Sequence, residues 1–283
     1  MEEKKCSETL IGWASGGIQI LMIELGLKLK LFEKLKEPIS CSDLAKKAGV
    51  NERQLKEWLY SQTGYGLLKI DPLPNTSDEY LYSLKTEWSP VLFLPESGVP
   101  LESFSAGFVD VLIAYFLRKD AVEESMKTGN GITYDVGGRR SADGEKNFLL
   151  YTNKVQVPQI FDKLGWDEKL EKGAKMGDVG CGSGELLISF SSKYKNSEFH
   201  GFDTSIEALK AFREKLGGYS NIRTHLVGDD GLPEDESFDI LTLIDVLHDL
   251  SDPVSVLKSA KKSLKPSGLL LTMDPLAKVS HQN

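Results

Sequence analysis

The sequence has few cysteines and fewer basic than acidic residues, 34 Lys and Arg against 42 Asp and Glu, and both features exclude classes of function. Its three cysteines, Cys6, Cys41 and Cys181, are odd in number and widely separated, and the sequence contains no CxxC pair. It therefore predicts neither a disulfide framework nor a zinc site. The formal net charge of -8 disfavours non-specific attraction to nucleic acid, which depends on clustered Lys and Arg. We expect reduced thiols, no bound metal ion and a small-molecule partner.

Features that direct a chain to a membrane are also missing. No run of about 18 apolar residues stands out as able to span a bilayer. The opening residues Met-Glu-Glu-Lys-Lys lack the basic region, apolar core and cleavage site of a signal peptide. These features predict a cytoplasmic protein without a membrane passage. The length of 283 residues favours two domains of roughly 100 to 150 residues each.

The N-terminal third begins with a helical pattern. Apolar residues recur at helical spacing from Thr9 to Leu35, which predicts one or two amphipathic helices. Four glycines within this stretch weaken a helix locally and predict its breaks: Gly12, Gly16, Gly17 and Gly26. The apolar character of these helices makes them the candidate surface for a homodimer.

A winged helix is predicted directly afterwards. Ser40 or Ser42 can cap a first short helix that ends at Gly49, and Asn51 with Gln54 can cap a second over about 51–59, which is a helix-turn-helix pattern. Two extended stretches, 66–70 and 79–84, follow and are joined by turn-forming residues. DNA binding is an alternative for such a module. The second helix nevertheless carries two acids and two bases, so it lacks the basic face that binding to phosphates requires. We therefore expect a packing or dimerisation role.

A glycine-rich segment separates this module from the rest of the chain. Residues 128–138 contain four glycines in eleven positions, which predicts a mobile loop. The loop is interpreted either as a lid beside a pocket or as a plain linker. Within it, Tyr134 is the candidate substrate contact. We divide the chain into a helical and winged-helix domain at 1–90, a helical linker with the lid loop at 91–150, and a second domain at 151–283.

The second domain opens with a strand, a glycine turn and a helix in immediate succession. A strand is predicted over 175–179 and a helix over 186–194, with Gly180, Gly182 and Gly184 between them. Such turns let a ligand approach the backbone and the helix N-terminus. A dinucleotide-binding fingerprint would place its third glycine at 185, where this sequence has Glu185. The spacing therefore disfavours NAD.

Acidic residues follow the later strands in the same way. Strands are predicted over 198–203, 223–227, 238–244 and 269–273, and a helix over 253–264. Asp203 ends the first of these strands 23 residues after Gly180, near the spacing of about 20 expected for a carboxylate that binds both ribose hydroxyls. Open α/β sheets bind ligands at the carboxyl ends of their strands, so these acids are expected at one site.

These motifs, taken together, resemble a class I S-adenosylmethionine (SAM) dependent methyltransferase. The matching pieces are DVGCGSG, FDTS, VGDDGLP, SFDILTLIDVLHDLSDP and LKPSGLLL, in the family's order and spacing. The N-terminal half resembles bacterial winged-helix enzymes and plant-type O-methyltransferases. The resemblance implies an α/β fold with a Rossmann-like, mostly parallel sheet behind a mainly helical winged-helix domain. It further implies methyl transfer from SAM to a small molecule, with S-adenosylhomocysteine as the product.

The resemblance also implies roles for individual residues. Asp203 would bind the ribose, Asp229 the adenine amino group together with the backbone of Asp230, and Asp245 would line the methionine side. The amino-acid end of SAM would be held by Asp178 and the three turn glycines, Gly180, Gly182 and Gly184. For each aspartate, the alternative is a strand-end acid that caps the next turn or helix.

His248 is the candidate catalytic residue. The segment LHDLSD resembles that of plant O-methyltransferases in which the histidine is the general base, and an imidazole can accept a hydroxyl proton near neutral pH. The acceptor atom would then be a hydroxyl oxygen. The alternative is a histidine kept for packing or capping. Cys181 is interpreted as a small filler in the turn, because no base is apparent beside it.

The sequence departs from the family after the fifth predicted strand. The family completes its sheet with a reversed hairpin of two further strands, whereas only residues 274–283 follow here. The expected result is an exposed sheet edge, which invites pairing with another chain. A truncated form, a shortened isoform and a partner that completes the sheet all remain open. A catalytically silent SAM-binding or interaction protein is the alternative function.

Overall fold

The structure is a computed structural model in which the chain divides into two compact units. Unit 1 comprises Met1–Ile113 and unit 2 comprises Ala114–Asn283. The described residues are 2–73, 79–94, 101–137, 144, 146–228, 231–233 and 235–276.

Unit 1 begins with one long helix, α1 (Glu2–Lys28), and a short helix, α2 (Leu31–Lys34). The predicted breaks at the four glycines are wrong, because α1 continues through all of them. Helical hydrogen bonding outweighs the cost of about 1 kcal/mol that a glycine adds relative to alanine. Packing requires a glycine at position 26, because a Cβ there would overlap the rings of Phe32 and Trp58.

The predicted winged helix is confirmed in its elements. Strand β1 (Ile39–Ser40) leads into the helices α3 (Cys41–Ala48) and α4 (Glu52–Gly64), which are followed by β2 (Leu68–Pro72) and β3 (Tyr80–Leu84). The three strands form an antiparallel sheet in the order β1-β3-β2.

The helix caps of this module are the predicted ones. The side chains of Ser40 and Asn51 accept hydrogen bonds from the backbone N–H groups of Asp43 and Gln54, and Gly49 ends α3 at a φ of 66°. Two further helices follow, α5 (Ser89–Leu92) and α6 (Ala106–Leu117).

Part of α1 does not pack on its own unit. Every residue from Glu2 to Ala14 is exposed, whereas Gln19, Ile23, Glu24 and Gly26 at the other end are buried. The helix is also long and apolar enough, by length and composition alone, to cross a membrane, with a mean hydropathy of 1.5 over its best window. Polar residues interrupt this stretch, so it does not stand out in the sequence as a continuous apolar run. Helices of soluble cores and signal sequences meet the same criterion.

Unit 2 contains one parallel sheet with helices on both faces. Before the sheet lie α7 (Lys119–Thr128), a 3₁₀ turn (Tyr134–Gly137), a π-helical turn (Thr152–Gln156), α8 (Val157–Leu164) and α9 (Trp166–Lys172). The strands and helices of the sheet alternate as β4 (Lys175–Val179), α10 (Glu185–Lys193), β5 (Glu198–Asp203), α11 (Ile206–Arg213), β6 (Ile222–Leu226), β7 (Phe238–Ile244), α12 (Pro253–Ser263) and β8 (Leu264–Met273).

The strand order of this sheet is β6-β5-β4-β7-β8, and all four pairings are parallel. The order reverses between β4 and β7, so their carboxyl ends form the crevice in which open α/β sheets bind ligands. The predicted fold class is therefore confirmed. Strand β8 lies at the edge of the sheet, and its pairing with β7 skips from Leu264 to Leu269, so residues 265–268 interrupt the ladder between the two strands.

Candidate active site

The glycine turn between β4 and α10 shapes the centre of the site. All three of its glycines have positive φ values, 72° at Gly180, 53° at Gly182 and 78° at Gly184. A Cβ would overlap Val246 at the first of these positions and the Phe212 ring at the third, whereas at Gly182 it would meet no atom within 4 Å. The outer two glycines therefore permit close packing, and the middle one leaves its backbone open to a ligand.

Asp203 lies directly beside this turn, as the sequence predicts. The backbone N–H of Gly182 donates to Asp203 Oδ2 at 2.7 Å, and the backbone N–H of Ser205 donates to Oδ1 at 2.8 Å. Burial raises the pKa of Asp203, while these backbone hydrogen bonds lower it. Each carboxylate oxygen offers about two acceptor positions, so both can accept a further hydrogen bond from a ligand hydroxyl.

Asp178 is held beneath the turn rather than on the surface of the site. Its residue is only 5% exposed, and Thr242 Oγ1 donates to its Oδ1 at 2.6 Å. Burial raises the pKa of this carboxyl to about 7, against the hydrogen bond from Thr242, which lowers it. A positively charged group nearby would favour its ionised form.

The ends of β7 and β8 bring a histidine and two carboxylates together. Asp245 turns the chain out of β7 with a φ of 60°, and its backbone N–H donates to the carbonyl of Met273 at 2.7 Å. His248 lies in the next turn, with Nδ1 at 2.7 Å from Asp274 Oδ1 and Nε2 at 3.8 Å from Asp245 Oδ1. Since a carboxylate only accepts hydrogen bonds, Nδ1 carries the proton and Nε2 of the neutral ring is left as the basic atom.

The charge around His248 is strongly negative. Burial lowers the pKa of the ring, but the hydrogen bond that Nδ1 donates to Asp274 and the charges of Asp249 and Asp245 outweigh it and raise the pKa above its ordinary value. The side chain of His248 is 45% exposed, so solvent or a small molecule reaches it. Asp245, His248 and Asp274 also each offer a ligand atom within 4.8 Å of one another. The absence of a bound metal stays a prediction.

The other residues that the sequence singled out are three candidate site residues and the turn cysteine, Cys181. Asp229 and Asp230 lie outside the described residues, and so does the side chain of Tyr134, whose backbone belongs to a 3₁₀ turn. Cys181 is buried within the turn, and burial raises its pKa well above the ordinary value. This agrees with its interpretation as a filler, because a reactive cysteine needs a lowered pKa.

Sequence reasoning missed three residues that the structure adds to the site. Asp274 follows β8 just as Asp203 and Asp245 follow their strands, so its position after a predicted strand was a usable signal. Thr242 lies inside β7, and Asp135 lies in the glycine-rich segment. Nothing in the local pattern marks either of them.

Comparison with known proteins agrees with this geometry. Residues 178–270 match the family model described as a methyltransferase domain. The tRNA U34 carboxymethyltransferase of Desulfotalea psychrophila is 29% identical over 103 residues, which are 35% of this chain and 32% of that protein. The demethylmenaquinone methyltransferase of Staphylococcus aureus is 32% identical over 126 residues, 43% of this chain and 50% of that protein. The chain thus spans 32% to 50% of the length of these curated relatives.

Solved structures match almost the whole chain. Human N-acetylserotonin methyltransferase in complex with SAM has a TM-score of 0.66 at 17% identity, covering 94% of this chain and 79% of that chain. An O-methyltransferase family protein from Burkholderia thailandensis has a TM-score of 0.69 at 15% identity, with the same coverage of 94% and 79%. The fold is therefore that of class I methyltransferases with an N-terminal helical region, as the sequence motifs imply.

Proposed function

We propose that this protein is a methyltransferase that binds SAM across the strand ends of unit 2 and methylates a hydroxyl oxygen of a small molecule. The observation that carries the proposal is the hydrogen bond from the Gly182 N–H to Asp203. It brings an open backbone at the end of β4 and a partly buried carboxylate at the end of β5 to one point beside the reversal of strand order, which fits an adenosyl ligand. When bound, SAM supplies an electrophilic methyl group on a sulfonium sulfur.

The polar residues of the site can be assigned to parts of this cofactor. Asp203 would hold the ribose hydroxyls, because each of its oxygens keeps an acceptor position. The turn glycines and Asp178 would hold the amino-acid end, where an ammonium group would offset the cost of ionising a buried carboxyl. Asp245 would line the methionine side, and Asp229 and Asp230 the adenine. Tyr134 stays a candidate substrate contact.

His248 would act as the general base. Asp274 binds Nδ1 and fixes the tautomer, so that Nε2 can accept the acceptor's hydroxyl proton as the methyl group arrives. The surrounding carboxylates stabilise the imidazolium that forms. Because positioning supplies most of the acceleration in such a transfer, the base contributes only part of the rate, about 10²- to 10⁴-fold.

A small-molecule acceptor is favoured over a nucleic acid. The net charge of -8 lacks the basic footprint that phosphate binding needs. The two curated relatives are named for different acceptors, a tRNA and demethylmenaquinone, so their names do not identify the acceptor of this chain.

The first test replaces Asp203 by Ala and measures S-adenosylhomocysteine binding by calorimetry. The Kd should rise about 100-fold, since hydrogen bonds to a charged group contribute about 1.5–3 kcal/mol each. Asp162→Ala, an exposed carboxylate on α8, serves as the control and should bind like the parent protein. Unchanged affinity in the Asp203 variant would refute the proposed site. Binding by the parent without methyl transfer to any acceptor would favour the silent SAM-binding alternative.

We further propose that a second copy of this chain covers the exposed part of α1. Large apolar side chains on this helix face solvent, with exposures of 64% at Leu10, 62% at Ile11, 73% at Trp13 and 61% at Ile18. A helix that is apolar on several faces is normally buried, and monomers rarely expose apolar patches above a few hundred Å². Closed two-fold dimers are the commonest way to cover such a surface.

A further inference from the structure

Asp135 connects two parts of unit 2 that are distant in sequence. Its carboxylate contacts the first turn of α11, 70 residues further along the chain. Ser205 Oγ donates to Asp135 Oδ1 at 2.6 Å, the N–H of Ile206 donates to Oδ2 at 3.2 Å, and the N–H of Glu207 donates to Oδ1 at 3.3 Å. The helix already has its own cap, because Ser205 Oγ accepts from the N–H of Ala208.

The contact is made at the end of α11 that adjoins the proposed ribose site. Ser205 bonds two carboxylates at once, with its backbone N–H on Asp203 and its hydroxyl on Asp135. The two acids are therefore separated by the atoms of a single residue. An anion at a helix N-terminus is stabilised by the free N–H groups and the helix dipole there.

Two glycines precede the segment that carries Asp135. Helix α7 ends at Thr128; the next residue, Gly129, has a φ of 75°, and Gly131 follows two residues later. A Cβ at either glycine would meet no atom within 4 Å, so neither is packed against the unit. Two glycines without packing contacts, Gly129 and Gly131, thus precede the carboxylate of Asp135, which accepts three hydrogen bonds. This arrangement is expected of a lid that opens and closes.

We propose that Asp135 is the latch of this lid, holding residues 131–137 against the N-terminus of α11 beside Asp203 so that a bound cofactor is retained. The inference rests on the proposed function and adds to it a positioning residue that does not itself need to contact the cofactor. Opening of the latch would accompany each entry and exit of SAM or S-adenosylhomocysteine. Its loss should therefore affect the rate of ligand release more than the stability of the fold.

The decisive experiment compares Asp135→Ala with Asp252→Ala. Asp252 caps α12 by accepting from the N–H of Ser255, three residues away, at 3.0 Å. The Asp252→Ala variant therefore also loses a carboxylate at a helix N-terminus, but one that does not hold a distant segment of the chain. Stopped-flow release and calorimetric Kd of S-adenosylhomocysteine are measured for both variants and the parent. Asp135→Ala should release the ligand about tenfold faster and bind it about tenfold more weakly, the effect of one hydrogen bond to a charged group. Asp252→Ala should match the parent.

A simple charge effect predicts the opposite sign. Burial and, to a smaller extent, the charge of Asp135 raise the pKa of Asp203, so removing that charge alone would favour the ionised Asp203 and tighten binding. Asp135→Asn, which keeps one acceptor oxygen, should fall between parent and Ala variant. Hydrogen exchange of the amides at 131–137 should accelerate in Asp135→Ala and not in Asp252→Ala.

The outcomes separate the latch from the proposed function. If the parent binds the ligand and Asp135→Ala retains it equally long, or if exchange at 131–137 is unchanged, the latch is overturned and SAM binding stands. If the parent does not bind S-adenosylhomocysteine at all, the proposed function fails, and a role in cofactor retention fails with it. Should Asp135→Ala not fold, the Asn variant decides by the same two readouts.

Discussion

At the scale of single residues, the pKa of the proposed base His248 depends on a carboxylate that lies 26 residues further along the chain. The bond from Nδ1 to Asp274 orients the ring, and together with Asp245 and Asp249 it keeps the pKa of the imidazole above its ordinary value. A general base must be neutral before it can accept a proton. Activity should therefore rise with pH through the pKa of His248 and fall on the acid side of it.

Replacing Asp274 by Asn should shift the acid limb of the pH–activity profile, the range in which activity rises with pH, to lower pH. The amide oxygen can still accept from Nδ1, but the negative charge that favours the imidazolium is gone, so the pKa of His248 falls and the neutral ring persists to lower pH. The pH profile of kcat/KM should shift its acid limb downward, and the rate at pH 8 should drop because the base is weaker. Asp252→Asn is the control. An acid limb that stays in place would show that another group sets it.

At the scale of the element, the turn between β4 and α10 uses its three glycines for different purposes. Gly180 and Gly184 lie where a side chain would overlap Val246 and Phe212, so they are needed by the fold. Gly182 lies in open space, and its N–H is bonded to Asp203. The same residue type therefore serves packing at two positions, and at the third it leaves the open space that the proposed cofactor site needs.

This difference predicts that one alanine variant mainly loses ligand affinity and the other mainly loses stability. Gly182→Ala should lower the free energy of unfolding by roughly 1–2 kcal/mol, because a residue with a side chain is strained in the left-handed conformation. It should also bind S-adenosylhomocysteine at least tenfold more weakly, because the new methyl group enters the space proposed for the ligand. Gly184→Ala should lose considerably more stability, since the methyl overlaps a buried ring. Thermal unfolding and calorimetry measure both. Normal ligand affinity in Gly182→Ala would mean that the cofactor does not approach this backbone.

At the scale of the whole molecule, the exposed part of α1 predicts association. Replacing Trp13 by Glu puts a charge into the proposed interface, so a dimeric parent should become monomeric while unit 1 stays folded. Light scattering after gel filtration measures the mass. Met126→Glu, which changes an 85% exposed side chain on α7, is the control and should leave the mass unchanged.

The same measurement tests other occupants of this surface. A parent protein that is monomeric and floats with phospholipid vesicles would assign α1 to a bilayer and contradict the dimer. A monomeric parent that does not bind vesicles would contradict both. Either result would leave the proposed chemistry of unit 2 untouched, because all residues of that site belong to Ala114–Asn283.

The sequence was a good guide to most features that depend on neighbouring residues. Strands β4, β5 and β7 have the predicted bounds, and the caps at Ser40 and Asn51 and the turn at Gly180 were expected from spacing alone. Glycine was a poorer guide inside α1, where local propensity predicts breaks and the helix continues. Propensity is a weak bias, and the sum of helical hydrogen bonds overrides it.

Sequence by itself determined the parallel sheet, the open turn and the row of acids after its strands, because periodicity, caps and spacing are local and survive without knowledge of the fold. Only the tertiary structure decided which distant groups meet: Asp274 on His248, Thr242 on Asp178, and Asp135 on Ser205. These pairs are 26, 64 and 70 residues apart. Their partners are selected by strand order and packing, and no periodicity in the chain encodes a contact across that distance.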